Sequence, residues 1–213
     1  MSSSTDNSSA PTTMRRAPVQ ARSQQRVKLL LDTTAQLVDE VGIEGVTTGL
    51  LAERAGVSIG SVYRFFPDRI SLMRALSERN LELFVTRFTA ELEEKDIENW
   101  EQALDMVINQ FVKLHETEPG FRALRFGDVI DEQLLDGTQS NNGVLAEPFK
   151  VLLVERFGIQ DDELLIRRIN VATEICDGLL TRAFIDDPDG DEWLIGECKI
   201  VVRDYLDQRL QLV

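Results

Sequence analysis

Residues 47–72 carry two short helical patterns separated by a glycine, and this segment constrains the fold more than any other part of the chain. Thr48 is predicted to cap the first helix, which has an apolar stripe at three- and four-residue steps. Gly56 stands where a helix ends in the left-handed conformation, and Ser58 can cap the second helix. Two short helices joined in this way form a helix-turn-helix, the layout of many DNA-reading domains.

The second predicted helix separates an inward face from an outward face. Val62 and Phe66 lie four residues apart and are predicted to face the core. The side chains left on the outer sides are those of Ile59, Ser61, Tyr63 and Arg64. Tyr63 can bond the sugar–phosphate backbone, and the Arg64 guanidinium can pair with the two major-groove acceptors of guanine. Gly60 lacks a Cβ, so the backbone at this helix start can approach nucleic acid closely.

A further helix is predicted directly after this pair. Pro67 stops the second helix, and Asp68 can cap the next one. Arg69 then lies beside the new helix start, where it could clamp a phosphate or remain a surface arginine.

Three ordered runs of residues occupy 42–48, 51–58 and 60–67, with Leu72 after them. They read Gly-Ile-Glu-Gly-Val-Thr-Thr, Leu-Ala-Glu-Arg-Ala-Gly-Val-Ser and Gly-Ser-Val-Tyr-Arg-Phe-Phe-Pro. In this order they resemble the DNA-binding domain of the tetracycline-repressor (TetR) family of bacterial transcriptional regulators. The resemblance implies a three-helix DNA-binding head. The positions that it implies contact DNA are Thr48, Ser58, Ile59, Gly60, Ser61, Tyr63, Arg64 and Arg69.

Two residues depart from the family pattern. Phe65 stands where His or Tyr is usual, so an apolar contact is expected in place of a phosphate hydrogen bond. Gly49 stands where a polar or basic residue is common, so a contact from the first short helix is in doubt. Specificity is therefore expected to depend on the second helix.

Charge is divided unevenly along the chain, whose formal net charge is −14. Residues 14–79 hold ten Lys and Arg against seven Asp and Glu, whereas residues 80–213 hold 13 against 29. An acidic body should repel phosphate and orient a basic head towards DNA. The same acidity also serves solubility, and the two roles are compatible.

The composition argues against an enzyme. His115 is the one histidine, so a multi-histidine metal centre is excluded, and the pattern around it favours a helix-end or pocket-wall residue. Cys176 and Cys198 lie in apolar helical patterns without a paired motif, which favours buried thiols over a disulfide or metal site. We expect no catalytic residue, cofactor or metal.

Targeting and membrane signals are not found. Residues 1–13 lack the apolar stretch of a secretory signal, and no apolar run approaches the ~18 residues of a spanning helix. The expected location is cytoplasmic.

Helical patterns continue to the end of the chain, so the predicted fold class is all-α with eight or nine helices. The predicted domains are a disordered basic arm at 1–20, the helix-turn-helix domain at 21–68 and a regulatory and dimerisation body at 69–213. The predicted helices outside the short pair are Ser23 to Val41, Arg69 to Glu93, Asn99 to His115, Phe121 to Asp136, Val144 to Phe157, Asp162 to Phe184 and Asp191 to Leu210. A loop is predicted from Asp136 to Gly143.

The last two predicted helices are apolar over wide arcs, so more than one face of each helix must be buried against another helix. In the resembled family these helices pair with those of a second subunit, which implies a homodimer.

The resemblance also implies a body pocket for a small-molecule effector. Candidate lining residues are Trp100, Met106, Phe111, Phe126, Phe149, Asn170, Thr173, Glu174 and Asp177. Glu174 and Asp177 would favour a cationic or hydroxyl-rich ligand, although such polar rows are commonly solvated. The leading hypothesis is a ligand-responsive homodimeric repressor on a pseudo-palindromic operator. The alternative is an adaptor of the same fold that binds DNA and a protein partner.

Overall fold

The computed structural model describes residues 16–122, 141–185 and 187–210, with side chains described from 21 to 122, from 146 to 185 and from 187 to 210. The regular elements in these ranges are eight helices, which confirms the predicted all-α class. Their bounds are α1 (Arg16–Gly45), α2 (Thr48–Arg54), α3 (Ile59–Tyr63), α4 (Arg69–Glu94), α5 (Trp100–Thr117), α6 (Asn141–Phe157), α7 (Leu165–Ile185) and α8 (Glu192–Asp207). None of the helices in this part of the chain combines the length and apolarity needed to cross a lipid bilayer.

The first helix is longer than predicted at its N-terminal end. It begins at Arg16 rather than Ser23 and so includes the end of the predicted disordered arm. Pro18 lies in its first turn, where the missing N–H has no intrahelical acceptor to lose. The helix is interrupted at Gly42, with φ of 71°, as predicted. Val41, the last residue of the predicted helix, lies directly before this interruption and is 47% exposed.

The body helices also differ from prediction at their ends. α6 begins at Asn141, inside the predicted loop, and α8 ends at Asp207 rather than Leu210. α7 begins three residues after Asp162, whose carboxylate accepts the Leu164 N–H in the preceding turn. Of the helix predicted from Phe121 to Asp136, residues 121 and 122 lie in a turn and residues 123–136 lie outside the described residues.

Two separate cores organise the molecule. The head core joins α1, α2 and α3 to the first turns of α4 through Leu72, Met73 and Leu76. The body core joins the later part of α4, through Phe84 and Phe88, to α5, α6, α7 and α8. α4 therefore contributes residues to both cores.

A turn after α5 makes a second junction between head and body. The Gly120 N–H donates to Asp39 Oδ1 of α1 at 2.9 Å, and the Gly120 backbone packs directly on Ala35. Nearby, Arg79 of α4 pairs with Asp32 of α1 at 3.1 Å. The head is therefore held to the body by backbone packing and by polar contacts.

Candidate nucleic-acid interface and body cavity

The first helix of the pair is capped one residue earlier than predicted. Thr47, not Thr48, is the N-cap: it has extended backbone, and its hydroxyl accepts the Leu50 N–H at 3.1 Å. Either threonine has the right chemistry, and the choice depends on which one leaves the extended conformation. At the other end Gly56 has φ of 64°, and the Gly56 and Val57 N–H groups bond the carbonyls of Glu53 and Ala52. This Schellman arrangement turns the chain sharply into α3.

The second helix is built as predicted. Ser58 caps α3 by accepting the Ser61 N–H at 3.2 Å. Val62 is fully buried and Phe66 is 6% exposed, so these two side chains hold α3 on the head core. The opposite side is open: Ile59 and Tyr63 are each 49% exposed. Gly60 and Arg64 are also exposed, and Ser61 is half-buried.

A hydrogen bond between side chains joins α2 to the end of α3. Thr48 Oγ1 lies 3.2 Å from Tyr63 Oη and donates to it. Because a phenol both donates and accepts, the Tyr63 proton stays available for a phosphate oxygen. Thr48 thereby contributes to the surface by positioning Tyr63, whether or not it reaches DNA itself.

The arginines of the pair have different surroundings. Arg54 bonds Glu40 of α1 through both terminal nitrogens, each at 2.8 Å, and this hydrogen-bonded pairing lowers the pKa of Glu40 and raises that of Arg54. Arg69 bonds the Glu44 carboxylate at 2.6 Å and its backbone carbonyl at 3.3 Å. Within the described residues the Arg64 guanidinium has no hydrogen-bond or ion-pair partner. Arg64 is thus the arginine of the three that is free to bind a ligand without first losing a carboxylate.

The start of α4 is held by a reciprocal cap. Asp68 accepts the Ser71 N–H at 2.7 Å, and Ser71 Oγ in turn accepts the Asp68 N–H at 3.3 Å. These bonds from Ser71 lower the pKa of Asp68. Of the two departures from the family pattern, Phe65 is half-buried against the head core, and Gly49 is exposed.

A cavity of about 140 Å³ lies in the body, between α4, α5, α6, α7 and α8. Phenylalanine rings dominate its wall, and Phe84 and Phe111 approach to 4.5 Å between ring centroids. Its aromatic wall residues are Phe84, Phe88, Phe111 and Phe149. Ile169, Ala172, Thr173 and Cys176 of α7 form one side, at the spacing of a single helix face.

The predicted pocket residues divide into those that line this cavity and those that do not. Phe111, Phe149 and Thr173 line the cavity. Trp100 and Met106 do not, since both are buried elsewhere in the body core.

The remaining predicted pocket residues also lie away from the cavity. Asn170, Glu174 and Asp177 do not line it, because their positions on α7 are rotated from the face that Thr173 shares with Ile169. Phe126 lies outside the described residues. Phe84 and Phe88 of α4 line the cavity although they are not among the predicted pocket residues, and their spacing as an aromatic pair at i and i+4 is the sequence signal that marks them.

The histidine and the cysteines lie in buried settings. His115 is at the end of α5, where Nδ1 contacts the Phe111 carbonyl at 2.9 Å and the ring stacks on Phe184 at 4.8 Å. Burial lowers the pKa of His115. Cys176 and Cys198 are free buried thiols, as predicted, and a hydrogen bond from one to the other, with burial, raises the pKa of Cys176.

Two protein families match the chain in sequence. The family described as bacterial regulatory proteins, tetR family, matches residues 30–76, a range that ends at Leu76, the last head-core residue of α4. The family described as tetracyclin repressor-like, C-terminal domain, matches residues 98–210, which include α5 to α8 and more than half of the chain.

Individual proteins are similar over different lengths. A TetR-family transcriptional regulator from Streptomyces coelicolor, of known structure, is 37% identical with a TM-score of 0.73, covering 86% of this chain and 98% of that one. The nucleoid occlusion factor SlmA of Glaesserella parasuis serovar 5 is 30% identical over 57% of this chain and 59% of its own length. The HTH-type transcriptional repressor KstR of Rhodococcus jostii is 36% identical over 30% of each chain. The alignments with these two curated relatives thus span less than two thirds of the relatives' length.

Proposed function

The chain belongs to the TetR family of DNA-binding transcriptional regulators, and from this premise we propose that it is a homodimeric repressor released from its operator by a small-molecule effector. The family membership confirms the resemblance seen in the sequence. The family is one of DNA-binding regulators rather than enzymes.

The observation that carries the proposal is the outward face of α3. Ile59 and Tyr63 are half exposed there, and Arg64 has no partner within the described residues. A helix with this surface fits the major groove, where Arg64 can pair with guanine for about 1 to 3 kcal/mol, or roughly 5- to 150-fold in discrimination. Tyr63, positioned by Thr48, supports the helix by binding a phosphate.

Arg69 has a different role in this proposal. Its guanidinium is paired with the Glu44 carboxylate, so Arg69 must leave that carboxylate in order to bind a DNA phosphate. Such a contact adds affinity for every sequence and no base preference. Ser58, Gly60 and Ser61 complete the proposed contact surface at the start of α3, which is exposed at Ser58 and Gly60.

Exposed apolar side chains on α7 and α8 support a homodimer. Leu164, in the turn directly before α7, and Val171 and Ile185 of α7 are 49%, 44% and 61% exposed, and Trp193 and Ile200 of α8 are 69% and 52% exposed. Within each set the spacing is seven residues or a multiple of seven, which keeps the side chains on nearly one helix face. Two such rows on adjacent helices match the seam of a four-helix bundle formed by two chains. Dimerisation also places two reading helices about one DNA turn, ~34 Å, apart, which suits a pseudo-palindromic operator.

The body cavity supports an effector rather than a protein partner. It lies against the same α4 whose first turns belong to the head core, so its occupancy can bias the position of the head. Among the described residues, no feature of this kind favours the adaptor alternative.

Selection of bound fragments from the source genome by the purified chain tests the proposal. We expect enrichment of a pseudo-palindrome, loss of base preference with Arg64→Ala, and a uniform loss of affinity with Arg69→Ala whose salt slope falls by about 0.9. Glu44→Gln is the matched control, because it frees Arg69 and should strengthen binding to all sequences. Failure to enrich any sequence refutes the proposal. Equal effects of the two arginine variants on specific and non-specific DNA refute the assigned roles.

A further inference from the structure

The described part of the body cavity's wall is uncharged. Every described residue that lines it is apolar, apart from Thr89, Thr173 and Cys176. An ion that entered such a site would lose its hydration without meeting an opposite charge, which costs far more than apolar contact returns. The described wall therefore selects against cationic and anionic ligands, including the cationic class expected from Glu174 and Asp177.

The aromatic side chains of the wall favour a flat ring. Phe84 and Phe111 are 4.5 Å apart between centroids and tilted by 31°, and Phe84 and Phe88 are nearly parallel at 6.0 Å. Phe149 of α6 also lines the wall. Phenylalanines in such an arrangement present both faces and edges, and aromatic ligands pack well against both.

The volume limits the ligand to one ring. The cavity holds about 140 Å³, close to the ~150 Å³ of an engineered apolar cavity, in another protein, that binds benzene. A ring with one or two small substituents fits this space, whereas a fused polycyclic ligand requires the helices to move apart.

The wall holds two threonines, of which Thr89 is exposed and Thr173 is half-buried, so Thr173 is the one that can direct a polar group of an enclosed ligand. The Thr173 hydroxyl donates to the Ile169 carbonyl at 3.0 Å, so its proton is in use and its oxygen can accept. The Cys176 thiol is hydrogen-bonded with Cys198. A ligand that donates a hydrogen bond is therefore better matched to Thr173 than one that only accepts.

We infer that the cavity binds an uncharged single-ring aromatic molecule, with a hydroxyl or similar donor directed at Thr173. This inference rests on the proposed effector-responsive function and specifies the chemistry of its effector. It replaces the cationic or hydroxyl-rich ligand that the sequence favoured.

Four probes of equal ring size test the inference on the purified full-length chain by calorimetric titration at pH 7. Toluene and p-cresol are neutral, whereas benzoate and benzylamine carry opposite charges. We expect the neutral pair to bind at least tenfold more tightly than the charged pair, with p-cresol the tightest. Equal binding of charged and neutral probes, or no binding of the neutral pair, overturns the inference.

Variants locate the binding site. Thr173→Val should weaken p-cresol binding about three- to tenfold, the usual effect of one lost hydrogen bond, and leave toluene within twofold. Thr181→Val is the matched control, since Thr181 is half-buried on the same helix but does not line this cavity. Ala172→Leu fills the cavity and should weaken both neutral probes, with circular dichroism verifying its fold. Unchanged p-cresol binding by Thr173→Val would place the ligand elsewhere.

Operator binding, measured on the same samples, distinguishes a failure of the proposed ligand class from a failure of the proposed DNA-binding or effector function. Operator binding without any neutral-probe binding overturns the ligand class and leaves the DNA-binding function in place. Binding of p-cresol without any change in operator affinity supports the ligand class and refutes the effector response.

Discussion

Replacement of Gly120 by alanine should loosen the junction between head and body. Gly120 has φ of +74°, and a Cβ there would lie 2.9 Å from Ala35 Cα and 3.2 Å from the Ala35 carbonyl oxygen of α1. These are backbone atoms of a helix and cannot rotate away as a flexible side chain could. The turn must therefore lift from α1, which lengthens the 2.9 Å hydrogen bond from Gly120 to Asp39.

The expected loss has two parts. An alanine in the left-handed conformation costs roughly 1 to 2 kcal/mol, and overpacking against a helix backbone adds roughly 1 to 3 kcal/mol. The free energy of unfolding should thus fall by roughly 2 to 5 kcal/mol. At about 2 to 4 °C per kcal/mol for a chain of this size, the melting temperature should fall by roughly 4 to 20 °C.

Gly158→Ala is a matched control. Gly158 has a similar φ of +65°, but a Cβ there would meet no heavy atom within 4 Å. This variant should lose only the conformational part, roughly 1 to 2 kcal/mol. Thermal unfolding of both variants is followed by circular dichroism at one protein concentration, because the proposed dimerisation would link stability to concentration. Equal losses in the two variants would show that contact with Ala35 contributes nothing and would refute the reasoning.

Three further predictions concern the dimer, the DNA surface and pH. Trp193→Glu should convert the dimer to a monomer in sedimentation velocity, while Val151→Glu, at a side chain 49% exposed on α6, should remain a dimer; a dimeric Trp193→Glu variant would exclude this interface. Tyr63→Phe should weaken operator binding about three- to tenfold in a fluorescence titration, and Thr48→Val should weaken it less. Equal losses of operator affinity in the two variants would mean that the Tyr63 hydroxyl contributes only through its hydrogen bond with Thr48, and not through a phosphate contact. His115 titrates in the unfolded chain near its ordinary pKa of 6.5 and at a lower pKa in the fold, because burial disfavours the charged ring. The folded state then binds fewer protons, so stability should fall as pH drops below about 6.5. The melting temperature should accordingly drop further between pH 7 and pH 5 in the wild type than in His115→Phe, and parallel drops would contradict the assignment.

The head was predictable because its determinants are local. The Ser58 cap, the turn at Gly56 and the inward pair Val62 and Phe66 act within a few residues of one another, and all have the predicted roles. The misplaced cap, Thr48 in place of Thr47, involves two adjacent residues with the same side chain. The ion pair of Arg69 with Glu44 was not predicted, because it joins positions 25 residues apart.

The cavity was less predictable because its wall comes from five helices. A periodic row identifies residues that share a helix face, but it does not indicate what that face meets. Thr173 was therefore grouped with Glu174 and Asp177, although in the structure it belongs with Ile169 and Ala172. Only the packing of α4 and α6 against α7 decides which of these faces encloses space.

The small size of the cavity gives a physical reason for the proposed dimer. Burial of a single aromatic ring removes about 150 to 250 Å² of apolar surface from water, which contributes about 4 to 6 kcal/mol at 25 cal/mol per Å². A nearly complete switch of a two-state protein needs about 5.5 kcal/mol of difference in binding between the states. One ring in one cavity would have to bind one state almost exclusively to supply that difference. Two cavities in a dimer that moves as a unit need only about half of it each, so the apolar rows on α7 and α8 would make a small uncharged ligand sufficient as an effector.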